Sequence, residues 1–477
     1  MDSMVFKDEV TENEIQWQTV VAKQDIRTNF HLLKPVNPLS GKRDTTITCD
    51  ICQNPATLQC ISCHSCWCTH EHFLLDDEPI HVHICSKLTE LWYMQFERAH
   101  QQIGEDTVSK RMEDRIQTQM ILDIKRTCEV RSRGYCAERN YIMALAPALR
   151  SLQFALKVCG PQSIEFVSCS LMLARIHLGL RKYNYVNQSL SQLSVECDRQ
   201  IQKELQNIGE GKIYTNKITN VQTVTGLGQN MIKFPFVRIP LEVLERMDTQ
   251  VISLQGRVQY LYGTFFQSLG ERDLSIKFLS ESVYYQSLAE GPTGLKTSLS
   301  YLEIAKSMLI GQKPKDLSKL NMKDRFKNLN TQVKQSLNIL QITVDIWNTA
   351  IRRSLNEQKV MSFDYAEVGE PRLLLQDAKA IAAMYLGMDS FLFIKATSTL
   401  CLLFTMYDAD YEAVIEARVA RRAIAEFQKW VGPSDKEWQD ARTWDTDMRD
   451  LMSVLETPEV MRRIAQIERE NQGRIII

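Results

Sequence analysis

Seven cysteines and five histidines crowd into the stretch from Cys49 to Cys85, and their spacing is that of metal ligands. The order is Cys49-Asp-Ile-Cys52, seven residues, Cys60-Ile-Ser-Cys63, four residues, Cys68, three residues, His72, eight residues, His81, three residues, Cys85. Two C-x2-C knuckles followed by four further donors exceed what one tetrahedral ion accepts, and eight donors match two ions. A mixture of thiolates and imidazoles suits zinc better than it suits hard cations. With four protein ligands per ion no position stays open for water, so the predicted zinc sites are structural. So short a segment, with few apolar residues, lacks a core of its own, and metal binding would supply its folding free energy. The alternative is a set of ordinary buried cysteines and surface histidines. It leaves unexplained why five of the chain's eight histidines fall between His64 and His83.

The spacing resembles that of the MYND family of zinc fingers, in which C-x2-C, C-x2-C, C-x3-C/H and H-x3-C pairs follow one another and are cross-braced. The resemblance implies one site of Cys49, Cys52, Cys68 and His72, and a second of Cys60, Cys63, His81 and Cys85. His72 stands where many members carry cysteine, and Cys66, His70 and His83 are near enough in sequence to compete for the first site. B-box and RING modules are the rival assignments. MYND modules are interaction devices, and some dock short proline-rich peptides. Trp67 and the apolar residues around Ile80 either line such a groove or make up the module's small core.

What must position this cluster is a chain of 477 residues with little Pro (13) and Gly (19), a composition that favours helix over sheet. Lys plus Arg number 57 against 58 Asp plus Glu, so no bulk charge drives the chain toward nucleic acid or an anionic membrane. The N-terminal stretch mixes charged and apolar residues without the apolar run of a signal peptide. No segment reaches the roughly 18 apolar residues of a membrane span, and the longest candidate, Ala396 to Tyr407, reads as a core helix. The six cysteines outside the cluster are scattered through helical sequence, the pattern of reduced core residues, and the predicted compartment is the cytosol.

From about Leu88 onward apolar residues recur at three and four positions, broken at Gly160-Pro161, Arg181-Lys182, Gly270-Glu271, Gly291-Pro292, Asp408-Ala409-Asp410 and Gly432-Pro433. Residues 173–193 resemble a tetratricopeptide repeat, with Ala174 as the small residue, His177 three later, Tyr183 at the turn, and Val186, Leu190 and Leu193 packing behind. The same frame falls 42 residues earlier at Ser132, Tyr135, Tyr141, Ala144 and Ala148. It returns at Gly263, Phe266, Ser275 and Leu279, 42 residues later at Ala305, and at Cys401, Ala413, Ala417 and Ala420. Small residues let paired helices approach closely while the rings fill the gap. Residues 207–240, with alternating Thr, Val and Ile and glycines at 226 and 228, read as an inserted loop or hairpin. A lysine-rich insertion over 311–328 divides the repeat that starts near Leu299. The predicted fold is mostly α: a small two-zinc finger followed by an α-α superhelical tetratricopeptide-like array. Its domains are an N-terminal extension (1–43), the finger (44–88), a linker helix (89–118), the array (119–456) and a C-terminal helix or tail (457–477). His177 reads as a packed position, and Arg418, Arg421 and Arg422 read as a solvated helix face.

No phosphate loop, nucleophile elbow, kinase motif set or H-E-x-x-H occurs, and Gly209-Glu-Gly211-Lys212 lacks the spacing of the first. Some protein-lysine methyltransferases join MYND to tetratricopeptide-like helices, but the flanks of this finger leave no room for their SET domain. The expectation is a protein without catalytic residues that binds neither nucleic acid nor membrane. The finger, the stretch ALAPALRSLQFALKVCGPQSIEFV and the stretch SLSYLEIAKSML together resemble the MYND-type zinc finger-containing protein 12 family, over roughly residues 45–200 and 250–425. That resemblance implies a cytoplasmic, cytoskeletal protein of the ciliary or flagellar axoneme, acting with another tetratricopeptide repeat protein to dock or hold inner-arm dynein on doublet microtubules. The competing expectations are a cytosolic or nuclear adaptor whose finger captures proline-rich peptides, and a co-chaperone of dynein assembly.

Overall fold

The structure, a computed structural model, describes residues 33–36, 47–100, 107–208, 217–225, 228–236, 241–314, 320, 322–357, 365–407, 409–431, 433–458, 460–462 and 465–466. Most of the predicted N-terminal extension and the end of the predicted tail lie outside the described residues. Sixteen α-helices are found among those described, and none is long and apolar enough to cross a membrane. The chain divides into two compact units, the first Met1–Cys136 with Asn140–Pro161, the second Ala137–Arg139 with Gln162–Ile477.

The first unit opens with a three-stranded antiparallel sheet of β1 (Leu33–Pro35), β2 (Leu58–Cys60) and β3 (Cys66–Trp67), with Leu33 opposite Cys60 and Leu58 opposite Trp67. Chain from the predicted N-terminal extension therefore supplies an outer strand to the finger. A helical run follows: α1 (His70–Asp76), a π-helical turn (Asp77–His81) and α2 (Val82–His100). Helices α3 (Thr107–Ala137) and α4 (Tyr141–Val158) complete the unit. Its core is shared: Trp67, Phe73, Ile80 and Ile84 of the finger pack in one cluster with Ile121, Ile124 and Cys128 of α3 and Ala146 of α4.

The second unit holds α5 (Ile164–Gly179), α6 (Tyr183–Asn207), α7 (Leu241–Leu244), α8 (Thr249–Ser268), α9 (Arg272–Glu290), α10 (Leu295–Met308), α11 (Met322–Lys327), α12 (Thr331–Asn356), α13 (Tyr365–Tyr385), α14 (Phe391–Met406), α15 (Asp410–Phe427) and α16 (Lys436–Leu455). Between α6 and α7 an antiparallel hairpin, β4 (Lys217–Thr225) and β5 (Gly228–Phe236), is paired from Lys217 opposite Phe236 to Thr225 opposite Gly228. One apolar cluster joins α5 through α9, and a second joins α10 with α12 through α16.

Four helix pairs repeat one piece of geometry. The amide of Asn140 donates to the carbonyl of Tyr135, that of Lys182 to His177, that of Glu271 to Phe266 and that of Ala409 to Phe404, at 2.9 to 3.0 Å. Each is the bond five residues back that closes a Schellman turn, and the residue before the donor is left-handed at Arg139 (φ 59), Arg181 (φ 59) and Gly270 (φ 79). Three residues before each acceptor sits a buried small residue, and twelve residues further on lies its partner in the next helix. Ser132 Oγ donates to the carbonyl of Ala144, Ser275 Oγ to that of Gly263, and Cys401 Sγ to that of Ala413.

Between α8, α9 and α10 small residues recur at intervals of seven, two helical turns, which keeps them on one face. Ser275 and Ser282 of α9 donate to the carbonyls of Gly263 and Gly256 of α8. On the other side each lies 2.8 Å from a serine hydroxyl of α10, Ser307 and Ser300 respectively. All four serines are buried, so the hydroxyls are satisfied within the helix stack rather than by solvent. A Cβ at Gly263 would lie 2.5 Å from Leu279 Cγ, which is why glycine occupies this crossing.

His177 is a packed residue. It is 5% exposed, its ring stands 5.7 Å from that of Tyr185, and its Nδ1 is buried with no hydrogen-bond partner among the described residues. Burial, helped by Lys182, pushes its pKa down to about 4. Because the folded state resists a proton that the unfolded chain accepts near pH 6.5, stability falls as pH drops through the window from about 6.5 to 4. We expect the second unit to lose about 2 kcal/mol between about pH 7 and pH 5 through this residue. Urea titrations at both pH values would show the loss in the wild type and a clearly smaller one in His177→Gln. Equal losses in the two proteins would remove His177 as the cause.

Candidate metal centre

The two knuckles fold alike. In the first, the amide of Gln53 donates to the carbonyl of Cys49 and the amide of Cys49 to that of Asn54; in the second, His64 donates to Cys60 and Cys60 to Ser65. The residue after each second cysteine is left-handed, Gln53 and His64 both at φ 62. This conformation is unusual for a side chain other than glycine, and here it reverses the chain so that both sulfurs of the knuckle face the same side. The amide of Ile51 also points at Cys49 Sγ, 3.4 Å away.

The remaining donors come from the helical run. Thr69 caps α1, accepting from the amide of His72 at 3.2 Å, and so fixes His72 in the first turn. The π-helical turn then carries Asp77 and His81, and α2 carries Cys85. π-turns are uncommon and tend to occur at functional positions. Here the turn lets Asp77 Oδ1 reach His81 Nδ1 at 2.9 Å, which leaves Nε2 to face Cys63 Sγ at 3.3 Å.

Two groups result. Cys49, Cys52, Cys68 and His72 present four donor atoms within 4.8 Å of one another, and so do Cys60, Cys63, His81 and Cys85. Each can hold a metal ion. In the first group Cys52 Sγ and Cys68 Sγ are 3.5 Å apart, and His72 Nδ1 is 3.0 Å from Cys68 Sγ and 3.7 Å from Cys49 Sγ. In the second, Cys60 Sγ and Cys85 Sγ are 3.9 Å apart. These sulfurs are too distant for disulfides, and all thirteen cysteines are free. The second group is the more enclosed, with Cys60, Cys63 and His81 buried, whereas only Cys49 is buried in the first.

The donors compete for protons. Cys63 and Cys85 hold the Cys60 thiol far below its ordinary range, while Cys60 and Cys63 raise Cys85. Burial opposes charge on His81, but Asp77, Cys60 and Cys63 lift it to about 11. At Cys49 burial works upward, and the hydrogen bonds from His72 and nearby amides bring the thiol down to about 7. Groups that hold protons only at each other's expense are those a dication displaces, so affinity for metal falls as the medium is acidified.

Cys66, His70 and His83 belong to neither group. The Cys66 thiol donates to the carbonyl of His64, and burial followed by the Asp50 carboxylate raises it to about 12, so it stays protonated. Trp67 and Ile80 are fully buried and form the core rather than a groove.

Three polar residues that the cysteine pattern does not reveal lock the finger to α4. The Arg150 guanidinium, 4% exposed, donates through Nε to Asp76 Oδ1 at 3.1 Å, through Nη2 to Asp76 Oδ2, and through Nη1 to Asp50 Oδ2 at 2.8 Å. Asp76 is wholly buried and also accepts from Trp67 Nε1 at 3.1 Å. Asp50 lies inside the first knuckle, its Oδ2 accepts from the amide of Cys66, and its carbonyl accepts from Gln153. Burial acts against the charge of Arg150, but Asp50 and Asp76 raise its proton affinity well above the ordinary arginine range. A buried Asp facing an Arg 74 residues later carries no sequence signature beyond the two residue types.

Asp77→Asn keeps the shape of the second site but weakens the acceptor that orients His81. We expect metal affinity there to drop about 10- to 100-fold, read by competition with a chromophoric chelator. Unchanged affinity would show that packing alone orients the imidazole. No known protein-family model matches the chain.

Proposed function

We propose that the first unit is a MYND-type finger holding two structural zinc ions, and that the chain is a non-catalytic scaffold of the ciliary or flagellar axoneme. The carrying observation is the cross-braced pair of four-donor groups. Zinc bonded to thiolate at about 2.3 Å and to imidazole at about 2.0–2.1 Å, in a tetrahedron, sets edges of about 3.8 Å between sulfurs and about 3.6 Å between sulfur and nitrogen. The separations of 3.5 and 3.9 Å, and of 3.0, 3.3 and 3.7 Å, lie close to those edges. Four protein donors close each site, so bound zinc supplies folding energy rather than a reactive water. The cross-bracing ties the knuckles to α1 and α2 and makes the finger a fixed platform.

In this reading the helix pairs with their shared Schellman turn are tetratricopeptide-like repeats of a superhelical array. The resemblance to the MYND-type zinc finger-containing protein 12 family is what supports the rest of the reading: a scaffold acting near inner-arm dynein on doublet microtubules, in company with another tetratricopeptide repeat protein. Two measurements test the proposal. Elemental analysis should find about two zinc per chain, and one or none would overturn the cross-braced assignment. A tagged chain should stay with axonemes after detergent extraction, and its release with the soluble fraction would end the axonemal assignment.

One observation favours the adaptor reading. Trp92 of α2 stacks on Phe96 at 5.2 Å, with the His64 ring tilted against it at 4.1 Å and Tyr93 edge-on at 5.2 Å, and Tyr93 and Phe96 are exposed. Such an aromatic ladder suits proline-rich peptides in extended conformation. Strong signals from proline motifs on a peptide array, lost in Tyr93→Ala, would favour it.

A further inference from the structure

The three arginines of α15 do not share one fate. Arg418 pairs with Glu456 and Arg421 with Asp445, both across to the α16 side. Arg422 has no ion pair among the described residues and instead lines a groove of about 710 Å³. The groove is bounded by the end of α13, the turn into α14, and the outer half of α15. Phe393 is buried at its floor, and Met384, Met388 and Trp430 stand on its walls, 58%, 67% and 54% exposed.

Three features separate this groove from an ordinary stretch of surface. Isolated exposed apolar side chains are common, but two methionines and a tryptophan around one concavity form a patch of the kind that marks interaction sites. Methionine adapts to varied apolar partners, and tryptophan is enriched among the residues that dominate binding energy. The turn that carries Met388 is also pinned. The Arg325 guanidinium of α11 packs over Gly387, donates to the carbonyl of Leu386 at 2.9 Å and pairs with Asp389 at 2.5 Å. A rigid rim lowers the ordering penalty of binding.

Charge selects the occupant. Of the ionic groups lining the groove, Arg325 is neutralised by Asp389 and Glu426 is paired with Lys429. Arg422 is left as the cation beside the apolar wall. We infer that this groove docks an acidic amphipathic segment of a partner protein, its apolar side chains set among Met384, Met388 and Trp430 and a carboxylate on Arg422. The site is independent of the metal centre and of the axonemal assignment.

The test uses the full chain and two fluorescent synthetic peptides of about fifteen residues. Both carry the same leucine and phenylalanine face, and its edges are glutamate in one and lysine in the other. Fluorescence anisotropy should show the glutamate peptide binding at least about tenfold tighter than the lysine peptide. Arg422→Glu should reverse that preference, and Met388→Gln and Trp430→Ala should weaken both peptides. All three positions are exposed, and unchanged circular dichroism would certify that the variants fold. Three results would overturn the inference: no binding of either peptide at about 100 µM, equal binding of both, or undiminished glutamate-peptide binding by Arg422→Glu. A concentration-dependent dimer abolished by Arg422→Glu would also overturn it, since the groove would then be a contact between copies of this chain.

Discussion

Cys60→Ser, or removal of the metal by a strong chelator, is expected to melt α3 and α4 together with the finger. Read from sequence, the finger is a separate module whose unfolding spares every helix of the array. The shared core changes that expectation. Ile121, Ile124 and Cys128 of α3 and Ala146 of α4 bury their apolar surface against Trp67, Phe73 and Ile84, and no other apolar cluster contains them. Structural zinc contributes about 10–16 kcal/mol of apparent binding energy, as much as the whole stability of a typical domain, about 5–15 kcal/mol. With zinc in both sites, as proposed, losing one would therefore remove the margin that keeps the unit folded. Hydrogen exchange reads the outcome directly. Amides of α3 should lose protection in Cys60→Ser, while those of α8 and α9, in a unit with its own core, keep theirs. Full protection of α3 in the metal-free protein would refute the shared-core account.

Arg150→Met should destabilise the same unit by about 3–5 kcal/mol, because it strands a buried carboxylate without its partner. Asp76 is wholly buried, and without Arg150 the Trp67 indole is its one remaining side-chain hydrogen-bond partner among the described residues. Arg150→Lys should recover little. A single ammonium cannot reproduce a fork that grips Asp76 with two nitrogens and Asp50 with a third. The double variant Arg150→Met, Asp76→Asn should regain part of the loss, since no net charge is then left buried. Urea denaturation followed by the fluorescence of the buried Trp67 would rank the four proteins. A single variant within about 1 kcal/mol of wild type would mean that water reaches Asp76 and the clamp is dispensable.

Both predictions concern a site of which half was legible beforehand. Metal ligands are readable because chemistry restricts them to a few residue types and because short loops fix their spacing. Those grounds narrowed the candidates to the cysteines and histidines between Cys49 and Cys85, with Cys66, His70 and His83 still in competition, and the structure brings Cys49, Cys52, Cys68 and His72, and Cys60, Cys63, His81 and Cys85, together in two groups. The helical character of the rest was readable for a similar local reason, the recurrence of apolar residues at three and four positions. The hairpin over 217–236 was suggested by alternation of Thr, Val and Ile.

What tertiary structure alone decided is which polar groups share a buried space. Asp50, Asp76 and Arg150 are ordinary surface types in sequence, and only packing α4 against the finger removes Asp76 and Arg150 from water and makes the three interdependent. The same holds for the serines of α9, whose hydroxyls become structural only once two neighbouring helices approach closely enough to exclude solvent. It holds too for Arg422, which sequence grouped with Arg418 and Arg421 and which the fold turned toward a different wall. Ligand identity and helix periodicity are local properties, carried by bond geometry and backbone hydrogen bonding. Desolvation depends on every neighbour at once, so the candidate donors were legible in the cysteine and histidine spacing, while which of them gather into each group and how they attach to the helices came from the fold.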